Sequence, residues 1–293
     1  MQVSDLDAIN AATLAAIRDG RAVADPGAFP FIGFYNVELF DCPPFVMFTA
    51  DDCPRAHNIL YQREFEPMSM QIWCKLARTA TGIVDLGAHV GVYSLAAAAL
   101  RPELKIQAFE PNPYAYTRLR LHKTINGFQN LVDHPYGVAR KETMVKFSWR
   151  LKGKHMISSG ASIGHYGPET PQQTLITQMI CLDDTDFHTR MGARPLIKMD
   201  IEGSEDHAID GMTKIFALKP DLLYETNLQK AADKLTPMMQ ALGYSFYLVR
   251  EKQRQLVQRD RIYKSDLEAG DLNQFLTVRP RGEIAAMFNV VAA

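Results

Sequence analysis

Short apolar runs alternate with longer segments of helical periodicity through most of the chain after residue 82. The runs predict buried strands, and the segments between them predict helices. This alternation is typical of an α/β fold, so we expect a Rossmann-like, mostly parallel sheet with helices on both faces. Apolar runs at residues 244–249 and 256–262 predict an antiparallel hairpin at its C-terminal edge. The other predicted strands are residues 83–86, 105–109, 130–138, 144–149, 176–182, 196–199, 222–224 and a last edge strand at 275–278, and helices are predicted from about residue 93 and at about 114–125, 204–216 and 231–242.

Residues 1–78, the N-terminal segment, follow a different pattern that predicts a small α+β accessory cap. A helix near the start precedes two strand-like runs, 34–39 and 45–49, which predict a hairpin. Helical spacing then covers 59–78, where Pro67 is placed to break the helix. Residues 79–293 are predicted to form the main domain.

One segment of the main domain, at about residues 150–175, interrupts the alternation. It is rich in Gly, Ser, Pro and His. A loop of this length inside a compact domain is often a lid or a binding loop, and we interpret this one as a lid.

Composition narrows the classes of partner and compartment. The 293 residues carry a formal net charge of -1, which gives no reason to expect nucleic acid or an anionic membrane as a partner. The chain has no run of about 18 apolar residues, so no membrane span is expected. The start lacks the pattern of a signal peptide, and the four cysteines form no paired metal or redox motif. We therefore expect a cytoplasmic protein, and the sequence indicates no oligomeric state.

The strand predicted at 83–86 leads into a glycine turn and then a helix. Glycine lets a ligand approach the backbone closely, and the start of a helix offers free N–H groups. This arrangement predicts a site for a nucleotide-like cofactor. The candidate binding residues here are Asp85, Gly87, Ala88, His89, Gly91 and Tyr93.

A second candidate follows the next predicted strand, in the sequence Glu110-Pro111-Asn112. A carboxylate about 20 residues beyond the glycine turn is suitably placed to accept hydrogen bonds from the two hydroxyls of a ribose. The spacing Gly87-x-x-x-Gly91 lacks the G-x-G-x-x-G pattern that binds a pyrophosphate. S-adenosylmethionine carries no phosphate, and Asp85 suits its ammonium group. The pattern therefore favours this cofactor over a nicotinamide dinucleotide.

Asp200 follows another predicted strand and belongs to a series of motifs along the chain. The motifs are Ile83-Val84-Asp85-Leu86-Gly87-Ala88-His89-Val90-Gly91, Phe109-Glu110-Pro111-Asn112-Pro113, Cys181-Leu182-Asp183-Asp184, Lys198-Met199-Asp200-Ile201-Glu202-Gly203-Ser204-Glu205 and Pro220-Asp221-Leu222-Leu223-Tyr224-Glu225. In this order they resemble the FkbM family of S-adenosylmethionine-dependent methyltransferases. The resemblance covers about residues 80–280, and His89 stands where the family usually has asparagine.

The resemblance implies methyl transfer to a hydroxyl of a small molecule or glycan, such as a sugar, glycolipid or polyketide. A hydroxyl must lose its proton, so a base is expected; Asp200 is the first candidate and Glu225 the second. The resemblance also implies that Tyr136, Gly137 and Val138 lie beside the adenine. Asp200 and Glu202 are further cofactor-binding candidates.

Three alternatives stay open at this stage. Asp200, Glu202 and Glu225 could hold a divalent cation such as magnesium, although Glu202 could instead bind backbone N–H groups at its turn. The chain could be a non-catalytic module that binds the cofactor. A nicotinamide-dependent oxidoreductase is the third alternative, and the missing pyrophosphate motif counts against it.

Overall fold

The computed structural model describes residues 3–21, 29–150, 157, 161–163, 172–265 and 270–292. Helices and strands begin and end close to most of the predicted positions. The strands are β1 Ile32–Val37, β2 Phe45–Ala50, β3 Gly82–Leu86, β4 Ile106–Phe109, β5 Leu131–His134, β6 Gly137–Val138, β7 Thr143–Arg150, β8 Ala161–Ile163, β9 Gln172–Ile180, β10 Pro195–Met199, β11 Asp221–Glu225, β12 Ser245–Arg250, β13 Gln255–Arg259, β14 Asn273–Thr277 and β15 Val290–Val291. The helices are α1 Val3–Arg18, α2 Pro54–Gln62, α3 Pro67–Ala77, α4 Val92–Leu100, α5 Pro113–Ile125, α6 Phe187–Arg190, α7 Glu205–Ile209, α8 Thr213–Phe216, α9 Gln229–Ala241 and α10 Arg281–Met287.

Within the described ranges, the main sheet has nine strands in the order β15-β13-β12-β14-β11-β10-β3-β4-β5. Strands β11, β10, β3, β4 and β5 run parallel, and helices connect β3 to β4, β4 to β5 and β10 to β11, as parallel neighbours require. Every residue of β3, β10 and β11 is buried, so these strands are mainly apolar and the charged residues within them are buried too. The predicted α/β fold with an antiparallel C-terminal hairpin is confirmed.

The strand predicted at the last edge lies inside the sheet instead. β14 pairs antiparallel with both β11 and β12, and all five of its residues are buried. A fully buried strand needs a hydrogen-bonded neighbour on each side, so the hairpin β12–β13 is displaced outward. The edge itself is formed by β15, which pairs parallel with β13 and was not predicted.

The predicted strand 130–138 is divided between two sheets. β5 completes the main sheet, whereas β6 pairs with β9 in a second sheet of order β6-β9-β7-β8. Pro135 separates the two parts and has no N–H to continue a ladder. The predicted helix 204–216 is likewise two short helices, α7 and α8. Gly211 lies between them, where a Cβ would be 2.2 Å from the carbonyl oxygen of Ala139.

The N-terminal segment packs onto the main domain through both apolar and polar contacts. Its hairpin and helices α2 and α3 belong to one continuous hydrophobic core with α4 and the strands beside it. The Asn126 side chain bonds both the N–H and the carbonyl of Val46 at 2.7 Å, and the Trp73 indole donates to the Tyr93 carbonyl at 2.9 Å. As expected, Pro67 separates two helices and starts the second. The domain boundary at residue 78 stays a prediction.

Most of the predicted lid at 150–175 lies outside the described residues. Its described part includes the buried Ile157, whose N–H donates to the Asp52 carbonyl at 3.2 Å, and β8, which pairs with β7. Nowhere in the described ranges is a helix both long and apolar enough to cross a membrane.

Candidate functional site

The turn between β3 and α4 is tightly held between two neighbouring strands. Gly87 (φ 79°) and Gly91 (φ 95°) lie in the left-handed region that favours glycine. A Cβ on Gly87 would be 1.8 Å from the carbonyl oxygen of Asp200. The N–H groups of Gly87 and Ala88 each donate to the Phe109 carbonyl at 3.0 Å. The ends of β4 and β10 therefore meet the turn, and Asp200 lies directly beside it.

Glu110 is fixed by two backbone N–H groups. His89 (φ 53°) donates to Oε2 at 2.8 Å, and Asn112 donates to Oε1 at 2.7 Å. Histidine is among the residues enriched in the left-handed region, so His89 can stand in this turn. Burial raises the pKa of Glu110 to about 7, against the effect of these two hydrogen bonds. Each carboxylate oxygen keeps a further lone pair for a ligand, with Pro111 lying beside it.

Asp85 is buried at the penultimate position of β3. Its Oδ2 accepts a hydrogen bond from the Ser94 hydroxyl at 2.5 Å, and burial raises its pKa to about 6. It pairs in register with Lys198 on β10. Asp85 therefore lies in a polar layer that continues across the two central strands.

Asp200 and Lys198 form the centre of this layer. The N–H of Asp200 donates to the Leu86 carbonyl at 3.0 Å, and its Oδ2 lies 3.5 Å from the Lys198 ammonium. Lys198 is only 2% exposed, and its ammonium lies 5.3 Å from the Tyr93 ring centroid. Burial works against the charge of Lys198, but the neighbouring acids, Asp200 first, outweigh it and raise the pKa. Asp200 thus has a permanent cation beside it.

Glu225 and Glu202 lie near Asp200 but differ in their hydrogen-bond partners. Glu225 is buried, and its Oε2 has no hydrogen-bond partner among the described residues. Glu202 accepts from the Asn227 amide at 3.2 Å. Burial, and then the charge of Asp200, raises the pKa of both carboxyls. The alternative in which Glu202 binds backbone N–H groups is not found among the described residues, where Glu205 accepts the Gly203 N–H at 2.9 Å instead.

Tyr136, Gly137 and Val138 reach this region from the second sheet. They line a pocket together with Gly87 and Pro111. Gly137 is packed so closely that a Cβ would be 2.4 Å from the Met179 sulfur. The structure therefore brings these three residues to the glycine turn by way of a different sheet, and their place beside an adenine stays a prediction.

Two charged residues of the N-terminal segment also enter the site. Arg55 and Glu66 form an ion pair of 2.9 Å. The Tyr93 hydroxyl donates to Glu66 at 2.6 Å, and the Asn273 amide donates to it at 3.0 Å. These contacts join the N-terminal segment to α4 and β14.

The site consists of two adjoining spaces that share Arg55, Gly87, His89 and Asp200. The outer cleft extends past Glu110 to Glu202, and the inner pocket extends past Asp85 to Glu66. The remaining outer lining comprises Pro111, Asn112, Phe147 and Ile201. The remaining inner lining comprises Phe65, Ala88, Val90, Val92, Tyr93 and Lys198.

The predicted acids do not form a metal site in the described part of the chain. No group of three His, Cys, Asp or Glu side chains there could hold a metal ion. Among these acids, Asp200 instead pairs with Lys198, and Glu202 accepts a hydrogen bond from Asn227.

A comparison with family models matches residues 85–246 to the methyltransferase FkbM domain. The chain belongs to the FkbM methyltransferase family. This confirms the resemblance of its sequence motifs. No curated protein matches the chain.

Solved structures share features of the fold at low identity. The methyltransferase FkbM of Methylobacillus flagellatus is 19% identical, over 67% of this chain and 43% of that protein, with a TM-score of 0.40. An S-adenosylmethionine-dependent O-methyltransferase of Thermotoga maritima is 11% identical over 81% and 75% of the two chains, with a TM-score of 0.38. The tRNA (uracil-54, C5)-methyltransferase of Pyrococcus abyssi, solved with S-adenosyl-L-homocysteine, is 10% identical over 85% and 44%, with a TM-score of 0.42. The chain spans less than half of the M. flagellatus protein, and these likenesses concern the fold alone.

Four site residues lie outside the range that the family model matches, namely Arg55, Phe65, Glu66 and Asn273. Sequence reasoning missed them because no motif surrounds them. Lys198 was also missed, although a lysine within the otherwise apolar strand β10 is an unusual residue that marks a buried charge.

Proposed function

We propose that this protein transfers a methyl group from S-adenosylmethionine to a hydroxyl oxygen of a small molecule or glycan, such as a sugar, glycolipid or polyketide. One observation carries the proposal: the glycine turn at Gly87, the fixed carboxyl of Glu110 and the Asp200 carboxylate line a single cleft. The family supports methyl transfer, and the cleft supports the choice of cofactor and of base.

The residues of the cleft fit S-adenosylmethionine. Glu110 has two oxygens held by N–H groups, each with a lone pair left for a ribose hydroxyl. The buried Asn112 amide nitrogen has no hydrogen-bond partner among the described residues and can donate to the same ligand. Asp85, Asp200 and Glu202 give the cleft an excess of acids, which favours a sulfonium cation.

The bound cofactor would supply an electrophilic methyl group on its sulfur. The protein's part is to align the acceptor oxygen with that methyl and to remove the hydroxyl proton. Asp200 suits the role of base because it lines the cleft and Lys198 stabilises its charge. Glu225 suits it less, because burial raises its pKa and favours the protonated form.

The first experiment is a calorimetric titration of S-adenosylmethionine into the purified protein, with NAD as the control ligand. Micromolar binding of S-adenosylmethionine alone is expected. Binding of NAD alone, or of neither ligand by the folded protein, would contradict the proposal.

The second experiment tests the base. Once an acceptor is found by screening sugars and other hydroxyl compounds, Asp200→Asn should lower kcat by about 10²- to 10⁴-fold, with a much smaller change in cofactor affinity. The exposed Asp233→Asn is the matched control and should behave as wild type. Full turnover in Asp200→Asn would remove Asp200 as the base.

A further inference from the structure

We propose that Arg55 of the N-terminal segment binds the carboxylate at the amino-acid end of S-adenosylmethionine. The inference rests on the proposed function and deepens it by naming a specificity-determining residue. Arg55 lies outside the residues 85–246 that the family model matches. It lines both the outer cleft and the inner pocket, beside Gly87 and Asp200.

Much of the hydrogen-bonding capacity of Arg55 is unused. Its Nη1 pairs with Glu66 at 2.9 Å, and its guanidinium lies 5.3 Å from the Phe65 ring centroid. No other hydrogen bond of this side chain is found within the described part of the chain. The remaining N–H groups form the planar fork that binds a carboxylate through two parallel hydrogen bonds.

The position of Arg55 is set by the main domain through Glu66. Tyr93 on α4 and Asn273 on β14 each donate to Glu66 Oε2, so this carboxylate keeps two partners besides Arg55. Glu66 (φ 41°) ends the loop between α2 and α3, and Pro67 begins α3. The guanidinium is therefore held at the cleft before any ligand arrives, which reduces the entropic cost of binding.

The charges of the site favour this ligand over an anionic acceptor. Burial works against the charge of Arg55, but the neighbouring acids, Glu66 first and then Asp200, outweigh it and raise its pKa. Such a concentration of acids repels a ligand of net negative charge. S-adenosylmethionine carries an ammonium and a sulfonium, which the acids suit, and one carboxylate, which requires a cation.

Within the described ranges, Arg55 and Lys198 are the arginine and lysine side chains that line the two spaces. The Lys198 ammonium is buried, with Asp200 at 3.5 Å and the Tyr93 ring beneath it. Arg55 is less enclosed, with 23% of its side chain exposed. Arg55 is therefore the cation that a carboxylate entering the cleft can reach.

The test compares S-adenosylmethionine with its decarboxylated analogue, S-adenosylmethioninamine, by calorimetry. Wild type should bind S-adenosylmethionine more tightly. Arg55→Gln should lower the affinity for S-adenosylmethionine by roughly 10- to 100-fold, and should change that for the analogue by less than about 3-fold. Arg55→Lys keeps the positive charge but lacks the planar fork, so its affinity for S-adenosylmethionine should lie between those of wild type and Arg55→Gln. The exposed Arg63→Gln, at the end of the same helix, is the matched control and should change neither affinity.

Five outcomes would overturn the inference. An equal loss for both compounds in Arg55→Gln indicates a structural role, and unchanged affinities for both compounds place the carboxylate elsewhere, with Lys198 the first alternative. Equal binding of both compounds by wild type overturns this inference alone, whereas binding of neither also overturns the proposed function. Thermal unfolding is measured alongside; if Arg55→Gln does not fold, an unchanged preference in Arg55→Lys overturns the inference and a reduced one supports it.

Discussion

The close approach of the glycine turn to β10 can be tested by Gly87→Ala. Gly87 has φ 79°, and an added Cβ would be 1.8 Å from the Asp200 carbonyl oxygen, whereas real Cβ contacts are almost never under 3.0 Å. The backbones at Gly87 and Asp200 would therefore have to move apart by about 1.2 Å, the difference between these two distances. Neither side can simply rotate away, because the Asp200 N–H is bonded to the Leu86 carbonyl at 3.0 Å.

The expected cost has two parts, and the chain offers a control that separates them. Placing alanine in the left-handed region costs about 1–2 kcal/mol, and forcing extra volume into a packed site costs about 1–3 kcal/mol more. Gly127 (φ 65°) has no atom within 4 Å of its added Cβ, so Gly127→Ala carries only the first part. Gly87→Ala should therefore lower the free energy of unfolding by about 1–3 kcal/mol more than Gly127→Ala.

The assay is urea unfolding of both variants, followed by calorimetric titration of S-adenosylmethionine. Moving Asp200 away from the turn should weaken cofactor binding in Gly87→Ala, whereas Gly127→Ala should bind as wild type does. Equal unfolding free energies for the two variants would refute the close approach, and wild-type cofactor affinity in Gly87→Ala would refute its importance for the site.

Two further predictions concern the buried acids. Asp85→Asn and Glu110→Ala should each weaken S-adenosylmethionine binding by about 1–3 kcal/mol through lost hydrogen bonds to a charged group, and unchanged affinity in calorimetry of both variants would reject the cofactor assignment. Burial raises the pKa of Glu251 from 4.5 to about 7, so over this range the folded protein binds a proton that the unfolded chain has released, and stability falls as pH rises. Glu251→Gln should reduce the fall in unfolding free energy between about pH 4.5 and 7, and an identical pH profile would contradict it.

Much of the site was predictable because its parts are encoded locally. The strand, glycine turn and helix around Gly87 depend on an apolar run, two glycines and an alanine-rich segment that are adjacent in the sequence. Glu110 and Asp200 were predictable because the carboxyl ends of parallel strands meet at one edge of a sheet. The structure brings both to the turn, Glu110 through the His89 N–H and Asp200 through its own carbonyl oxygen.

Sheet order was less predictable because strand periodicity specifies burial but not neighbours. The apolar run at 275–278 predicts a strand but not its position in the sheet, and only packing places β14 between β11 and β12. Periodicity likewise predicted one continuous strand at 130–138, but the strand is interrupted at Pro135 and its second part, β6, belongs to the second sheet. Glu205, not Glu202, accepts the Gly203 N–H. Glu202 has a left-handed φ of 53° at this turn, which no sequence pattern indicated.

The sequence by itself determined the fold class, the glycine turn and the acids at the strand ends, since these follow from periodicity and glycine torsions within a few residues. Only the tertiary structure decided which distant residues join them. Arg55 and Glu66 reach the cleft because Tyr93 and Asn273 hold Glu66 in place. Contacts across such long separations arise from the packing of whole elements, which local patterns do not encode.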